Sequence, residues 1–152
     1  MSRININDDA DEGVHARWMA NLERQIAGRK GQAALRELEA SLVALPSKRL
    51  IHAAIARGNE GCALGAWLVD RRVAAGDSRE AALAAYQTDP DADEYGDDGE
   101  TTDDVAAAFG FPRMLAWMLV YKNDEDYDDA TPEERYEEVL AWVRRQIKDG
   151  AR

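Results

Sequence analysis

Three stretches of this chain repeat apolar residues at intervals of three and four, and that spacing is the strongest constraint on its fold. Val14, Trp18, Leu22 and Ile26 recur every four residues. Leu35, Leu38, Leu42 and Leu45 follow a 3-4-3 pattern that Pro46 stops. Tyr136, Val139, Leu140, Val143 and Ile147 make the third stripe. Such spacing collects apolar side chains on one face of a helix. The third stripe also carries its own start signals. Thr131 stands at the N-cap, Pro132 at N1 and Glu134 at N3, the residue pattern of a capping box. Acids fill its first turns and Arg144, Arg145 and Lys148 its last, as the helix dipole prefers. Gly150 is expected to close it.

The middle of the chain is read by its punctuation. The apolar RLIHAAIA at 49–56 runs into RGNEG, which is turn chemistry, so a short β-hairpin is expected near residues 49–63. CALGAWLVDRRVAAG follows as a helix, with Gly76 as its C′ residue. Asp77 or Ser78 caps the next helix, and Thr101 or Thr102 the one after it. Gly110 and Pro112 then break the chain before RMLAWMLVY. TTDDVAAAFGFPRMLAWML has helix-turn-helix spacing at Ala106, Gly110 and Leu119. Its second helix offers only Arg113 and Lys122 to a phosphate backbone, so it reads as a helical corner of the core. The expected fold is mainly α: a compact single-domain helical bundle, with one short β-hairpin near residues 49–63. Residues 1–11 are expected to be a flexible N-terminus and residues 12–150 a single helical domain. A chain of 152 residues is long enough to bury a full core without staples.

Charge supplies the second constraint. With 45% hydrophobic and 32% charged residues the composition is globular, and the net charge is −11. That charge is segregated. Residues 89–104 hold nine acids and no base; residues 124–138 hold nine acids and one base, Arg135. The two stretches carry −17, while the remaining twelve acids and eighteen bases give +6. Nucleic acid and anionic membrane are therefore poor direct partners. One cysteine excludes an intrachain disulfide, and two histidines without a CxxC or HxxxH pair argue against structural zinc. No apolar run approaches the roughly 20 residues of a membrane span, and the first residues do not read as a secretory leader. A cytoplasmic setting is expected.

Candidate sites follow from the acids and the thiol. Asp89, Asp91, Asp93, Tyr95, Asp97 and Glu100 fall at the ladder positions of an EF-hand-like loop, which would give calcium its oxygen ligands. Glu94 stands where that loop needs glycine. Carboxylates spread over a folded surface also imitate phosphate spacing, so Asp91, Asp93, Asp97, Asp98, Asp126 and Asp128 are candidates for binding a basic groove on another protein. Cys62, paired with His52, would be the only thiol nucleophile; it falls at the expected start of a helix, a position that lowers a thiol pKa. No G-x-G-x-x-G, Walker A or G-x-S-x-G motif is present. Trp18, Trp67, Trp117 and Trp142 fall one per main helix, and any left exposed becomes an interface anchor.

GCALGAW at 61–67, the Asn123-Asp124 pair and the helix that starts at Thr131 and continues ERYEEVLAWVRRQI occur in that order. Their combination resembles small uncharacterised proteins of bacteriophages and of bacterial genomes carrying mobile elements. Those proteins share a G-x-C-A-L-G-A segment, an N-D pair and a T-x-E-x-R helix near the C-terminus. The resemblance covers residues 48–147 and implies an origin rather than an activity; it marks Cys62, Gly65, Asn123 and Asp124 for testing. The resulting expectation is a non-enzymatic accessory protein of phage or mobile-element origin, without a cofactor. It would bind a partner protein through an acidic surface, with a nucleic-acid-binding host defence complex as the most specific target. The alternatives are a calcium-binding module at 89–100, with Asp89, Asp91, Asp93, Asp97 and Glu100 as ligands, and a small Cys62-dependent enzyme.

Overall fold

A computed structural model describes residues 8–52, 54–87, 101–126 and 129–148. Among them are seven α-helices and one two-stranded antiparallel hairpin, so the fold is mainly α. In chain order these are α1 (Asp8–Ala27), α2 (Arg29–Ala44), β1 (Ala56–Arg57), β2 (Glu60–Gly61), α3 (Ala63–Ala74), α4 (Arg79–Ala85), α5 (Thr102–Ala108), α6 (Arg113–Tyr121) and α7 (Pro132–Gln146). A π-helical turn, Lys122–Asp126, continues α6 without a break.

Helix α3 is the centre of the packing. Its first seven residues, Ala63 to Val69, are all buried. It packs against α2, α4, α5 and α6, while α7 covers α2 and α1 lies on α2 and α6. The second and third apolar stripes share one core with leucines of α3 and α6: Leu35, Leu38, Leu42, Leu64, Leu68, Leu115, Leu119, Val139 and Val143 are at most 1% exposed, while of the first stripe Leu22 and Ile26 are buried and Val14 is exposed. Each such side chain contributes roughly 1.5–3 kcal/mol relative to exposure. The expected helix-turn-helix unit is a corner of this core. Ala106 and Leu119 are fully buried, and Gly110 takes the turn at φ +98°.

The caps follow the sequence closely. Ser78 and Thr101 accept from the N3 amides of α4 and α5, and Thr131 and Glu134 form a reciprocal capping box on α7. Helix α3 ends in a Schellman motif. Gly76, at φ +119°, donates to Val73, and Asp77 N donates to Arg72 O at 3.0 Å. Gly58, at φ +64°, turns the hairpin, and the Gln87 side chain both donates to and accepts from its backbone.

Two boundaries differ from expectation. Helix α1 starts at Asp8, four residues before the expected start of the helical domain at residue 12. Helix α7 ends at Gln146, not at Gly150, because a buried glutamine takes over its terminus. Gln32 Nε2 donates to Gln146 O (3.0 Å) and to Ile26 O (2.7 Å), and its Oε1 accepts from Lys148 N (2.8 Å). One side chain thus joins the ends of α1 and α7 to the start of α2.

Glycine at 31 is required by close approach. A Cβ there would lie 1.7 Å from Gln25 O, which is backbone and cannot swing away. At Gly13, inside α1, a Cβ meets nothing within 4 Å. The same substitution should therefore act with opposite signs in urea denaturation. Gly31→Ala should lose about 2 kcal/mol or more, and Gly13→Ala should gain about 0.5–1 kcal/mol.

Candidate functional site

The irregular segment 45–55 carries backbone groups that no long element satisfies. Leu50 is fully buried within it, so those groups need partners from elsewhere. The neighbouring elements supply them. Leu50 N donates to Pro132 O, Ile51 N to Gly61 O, and Cys62 N to Ile55 O, each at 3.1 Å. The two carbonyls at 50 and 51 are met by side chains. Asn123 Nδ2 donates to Ile51 O (2.7 Å) and Arg135 Nη1 to Leu50 O (3.2 Å). Arg135 Nε donates to Asn123 O (2.9 Å), which ties the two together. Both residues are 2% exposed.

The same asparagine caps α3 from outside. Its Oδ1 accepts from Ala63 N (3.0 Å), the first amide of the helix. Cys62 is the N-cap itself, and its Sγ accepts from Gly65 N (3.2 Å). Two of the helix's orphan donors are met in this way. Gly65 is needed because a Cβ there would sit 2.2 Å from Ile55 O. Asp124 Oδ1 accepts from Asn123 Nδ2 (2.8 Å) and lines the same small cavity as Cys62 and Thr102.

The three motifs that carried the resemblance therefore converge. GCALGAW gives the N-terminus of α3, Asn123-Asp124 gives its external cap, and the Thr131 helix delivers Arg135. Asn123-Asp124 does not stop α6 in a left-handed conformation, a role asparagine often takes at a helix end. Among the described residues only Lys48 is a non-glycine at positive φ. The chain passes from α6 into the π turn instead, and Asn123 is buried in it.

The chemistry of Cys62 runs against nucleophilic use. Burial pushes its thiol up from 9.0 to about 12, and the nearby Asp124 carboxylate acts in the same direction; the Gly65 amide opposes both but does not offset them. The expected lowering at a helix N-terminus is thus overturned by desolvation. His52 is exposed, whereas Cys62 is buried. The cavity beside Cys62 holds about 10 Å³, room for one water. Larger open hollows lie among other residues. One, between α1 and α7, is lined by Arg24, Arg145 and Lys148; the other lies beside Arg29 and Lys30.

Arg135 was legible only as the single base of an acidic stretch. Its position carried a further signal: it stands four residues before Val139 and seven before Trp142, on the apolar stripe of α7. Of the expected acidic site, Asp89, Asp91, Asp93, Asp97, Asp98, Glu100 and Asp128 lie outside the described residues, and Asp126 closes the π turn. Among the described residues no group of three His, Cys, Asp or Glu is placed to hold a metal ion. No described helix is long and apolar enough to cross a membrane. Compared with known protein families, curated proteins and solved structures, the chain matches none.

The Cys62 environment sets a pH dependence. In the unfolded chain the thiol ionises near 9, while in the folded chain it keeps its proton to about 12. Its contribution is complete below pH 9 and is lost as pH rises toward 12. Relative to Cys62→Ser, the wild type should lose about 1.4 kcal/mol of unfolding free energy per pH unit in that window. Urea titrations at several pH values check this.

Proposed function

We propose that the chain is a non-enzymatic accessory protein that binds a partner protein through an acidic surface. In its most specific form the partner is a nucleic-acid-binding complex of host defence, and the chain is of phage or mobile-element origin. One observation carries the reading. Arg135, the sole base of residues 124–138, is withdrawn into the interior and bonded to the carbonyls of Leu50, Asn123 and Ala130. The surface of that stretch is thereby left to its acids. Asp129, Glu133, Glu134, Glu137 and Glu138 are all exposed. Arg49 pairs with Glu133 and Glu60 at one edge of that surface, and further bases gather around the hollows lined by Arg24, Arg29, Lys30, Arg145 and Lys148. Such a division of charge suits a basic groove built for phosphate and repels nucleic acid itself. The raised pKa and burial of Cys62 favour this reading over a thiol enzyme.

The test is a pull-down with the wild type and with a variant carrying Asp91→Lys, Asp93→Lys, Asp97→Lys, Asp98→Lys, Asp126→Lys and Asp128→Lys. The wild type should retain a nucleic-acid-binding protein that duplex DNA displaces, and the variant should not retain it. Equal retention by the variant would overturn the reading.

A further inference from the structure

Helix α7 turns one face to solvent, and the charges on that face are strictly ordered. Glu133, Glu134, Glu137 and Glu138 are exposed in its first half, Arg144 and Arg145 at its end, and Lys148 just beyond it. The helix dipole favours that order. It does not account for how complete the division is. Arg135, the one base of the acidic half, is turned inward and is 2% exposed. Between the two halves stands the half-buried Ala141, the smallest side chain of the helix.

Ala141 is also the centre of a match. Glu138 and Arg144 stand three residues before and after it, and Glu137 and Arg145 four. At 3.6 residues per turn, Glu137 and Arg144 fall on one flank of the Ala141 line, and Glu138 and Arg145 on the other. When two such helices run antiparallel about a two-fold axis at Ala141, each flank meets its own kind. Glu137 then faces Arg144 of the other copy, and Glu138 faces Arg145, each pair occurring twice. The two flanks are prepared differently. Arg144 is held beside the seam by Glu39 of its own chain, at 2.8 Å. Arg145 shares with Arg24 and Lys148 a hollow of about 530 Å³ between α1 and α7, where Glu23 is the single acid among the described lining residues. Glu134 of the second copy, one turn from Glu138, comes to this basic hollow.

We propose that two copies of the chain pair through α7, antiparallel about a two-fold axis at Ala141, with Glu137 and Glu138 of each copy against Arg144 and Arg145 of the other. Charge selects this occupant. A basic helix would leave Arg144 and Arg145 facing like charge, and an acidic helix or nucleic acid would be repelled by the glutamates. An occupant must carry both halves in reverse order, which an antiparallel second copy does by construction. The net charge of −11 on each copy opposes association, but at about 0.15 M salt charges beyond roughly 8 Å are screened, so the facing residues decide. Exposed ion pairs are individually weak, and the dimer is accordingly one of high concentration. The pairing uses none of Asp91, Asp93, Asp97, Asp98, Asp126 and Asp128 and stands independently of the acidic-surface reading.

Sedimentation equilibrium of the full chain tests the pairing. At about 0.15 M salt the mass should be that of a monomer at about 10 μM and rise toward a dimer by about 1 mM. Arg145→Glu and, separately, Glu138→Arg should each weaken association about tenfold with unchanged circular dichroism, because like charges then meet at both ends of the seam. The two substitutions combined should bring it back to within about threefold of the wild type, since unlike charges face each other again. Ala141→Lys should also weaken it about tenfold, because a residue on the axis meets itself. A monomer at every concentration would overturn the proposal. So would a dimer that Arg145→Glu or Ala141→Lys leaves unchanged, or a combined variant no better than the single ones.

Discussion

The bond between Arg135 and the Asn123 carbonyl is the interaction on which the rest of this structure depends. Among its described residues, the segment from Leu45 to Ile55 has no helix and no long strand, and it buries Leu50 and Ala54. A buried backbone of that kind is tolerated only if its polar groups are matched. Asn123 and Arg135 match two carbonyls of the segment, and Asn123 also satisfies the first amide of α3. Helix α3 is the element that most others pack against. Its position is therefore set by a polar knot as much as by its leucines. Burying a guanidinium costs several kcal/mol unless it is well bonded, and here three backbone carbonyls are among its partners.

The same arrangement shapes the surface. An arginine used inside is an arginine absent outside, so among its described residues the stretch that holds Arg135 exposes no base of its own. The π turn belongs to the same account. It carries Asn123 inward and leads straight from Tyr121, whose ring stacks on Trp117, into the acidic residues. Interior bonding and surface charge are thus two results of one local sequence, in which Asn123 and Arg135 face in while Glu133, Glu134, Glu137 and Glu138 face out.

Helices and caps were legible because their signals are local. Thr131, Pro132 and Glu134 act within one turn of each other, and Gly76 and Ser78 likewise. What could not be read were partners distant in sequence. Gln32 and Gln146 are 114 residues apart, and nothing near either one announces that a glutamine will end α7. Asn123 reads as a helix stop because its neighbourhood is polar, yet its partners lie at 51 and 63. Cys62 was placed correctly at a helix start. The sign of its pKa shift depended on burial, which comes from the whole fold. The resemblance had marked Cys62, Gly65, Asn123 and Asp124 without a reason; the convergence on α3 supplies a structural one.

A knot that sets this region in place makes the amides of Leu50, Ile51, Cys62 and Ala63 open together, as one cooperative unit. Native-state hydrogen exchange reads it directly through the amides of Leu50, Ile51, Cys62 and Ala63, whose acceptors are Pro132, Gly61, Ile55 and Asn123. These four should exchange with one common opening free energy, and Asn123→Ala should lower all four together. Four separate opening free energies, or a loss confined to Ala63 in Asn123→Ala, would contradict it.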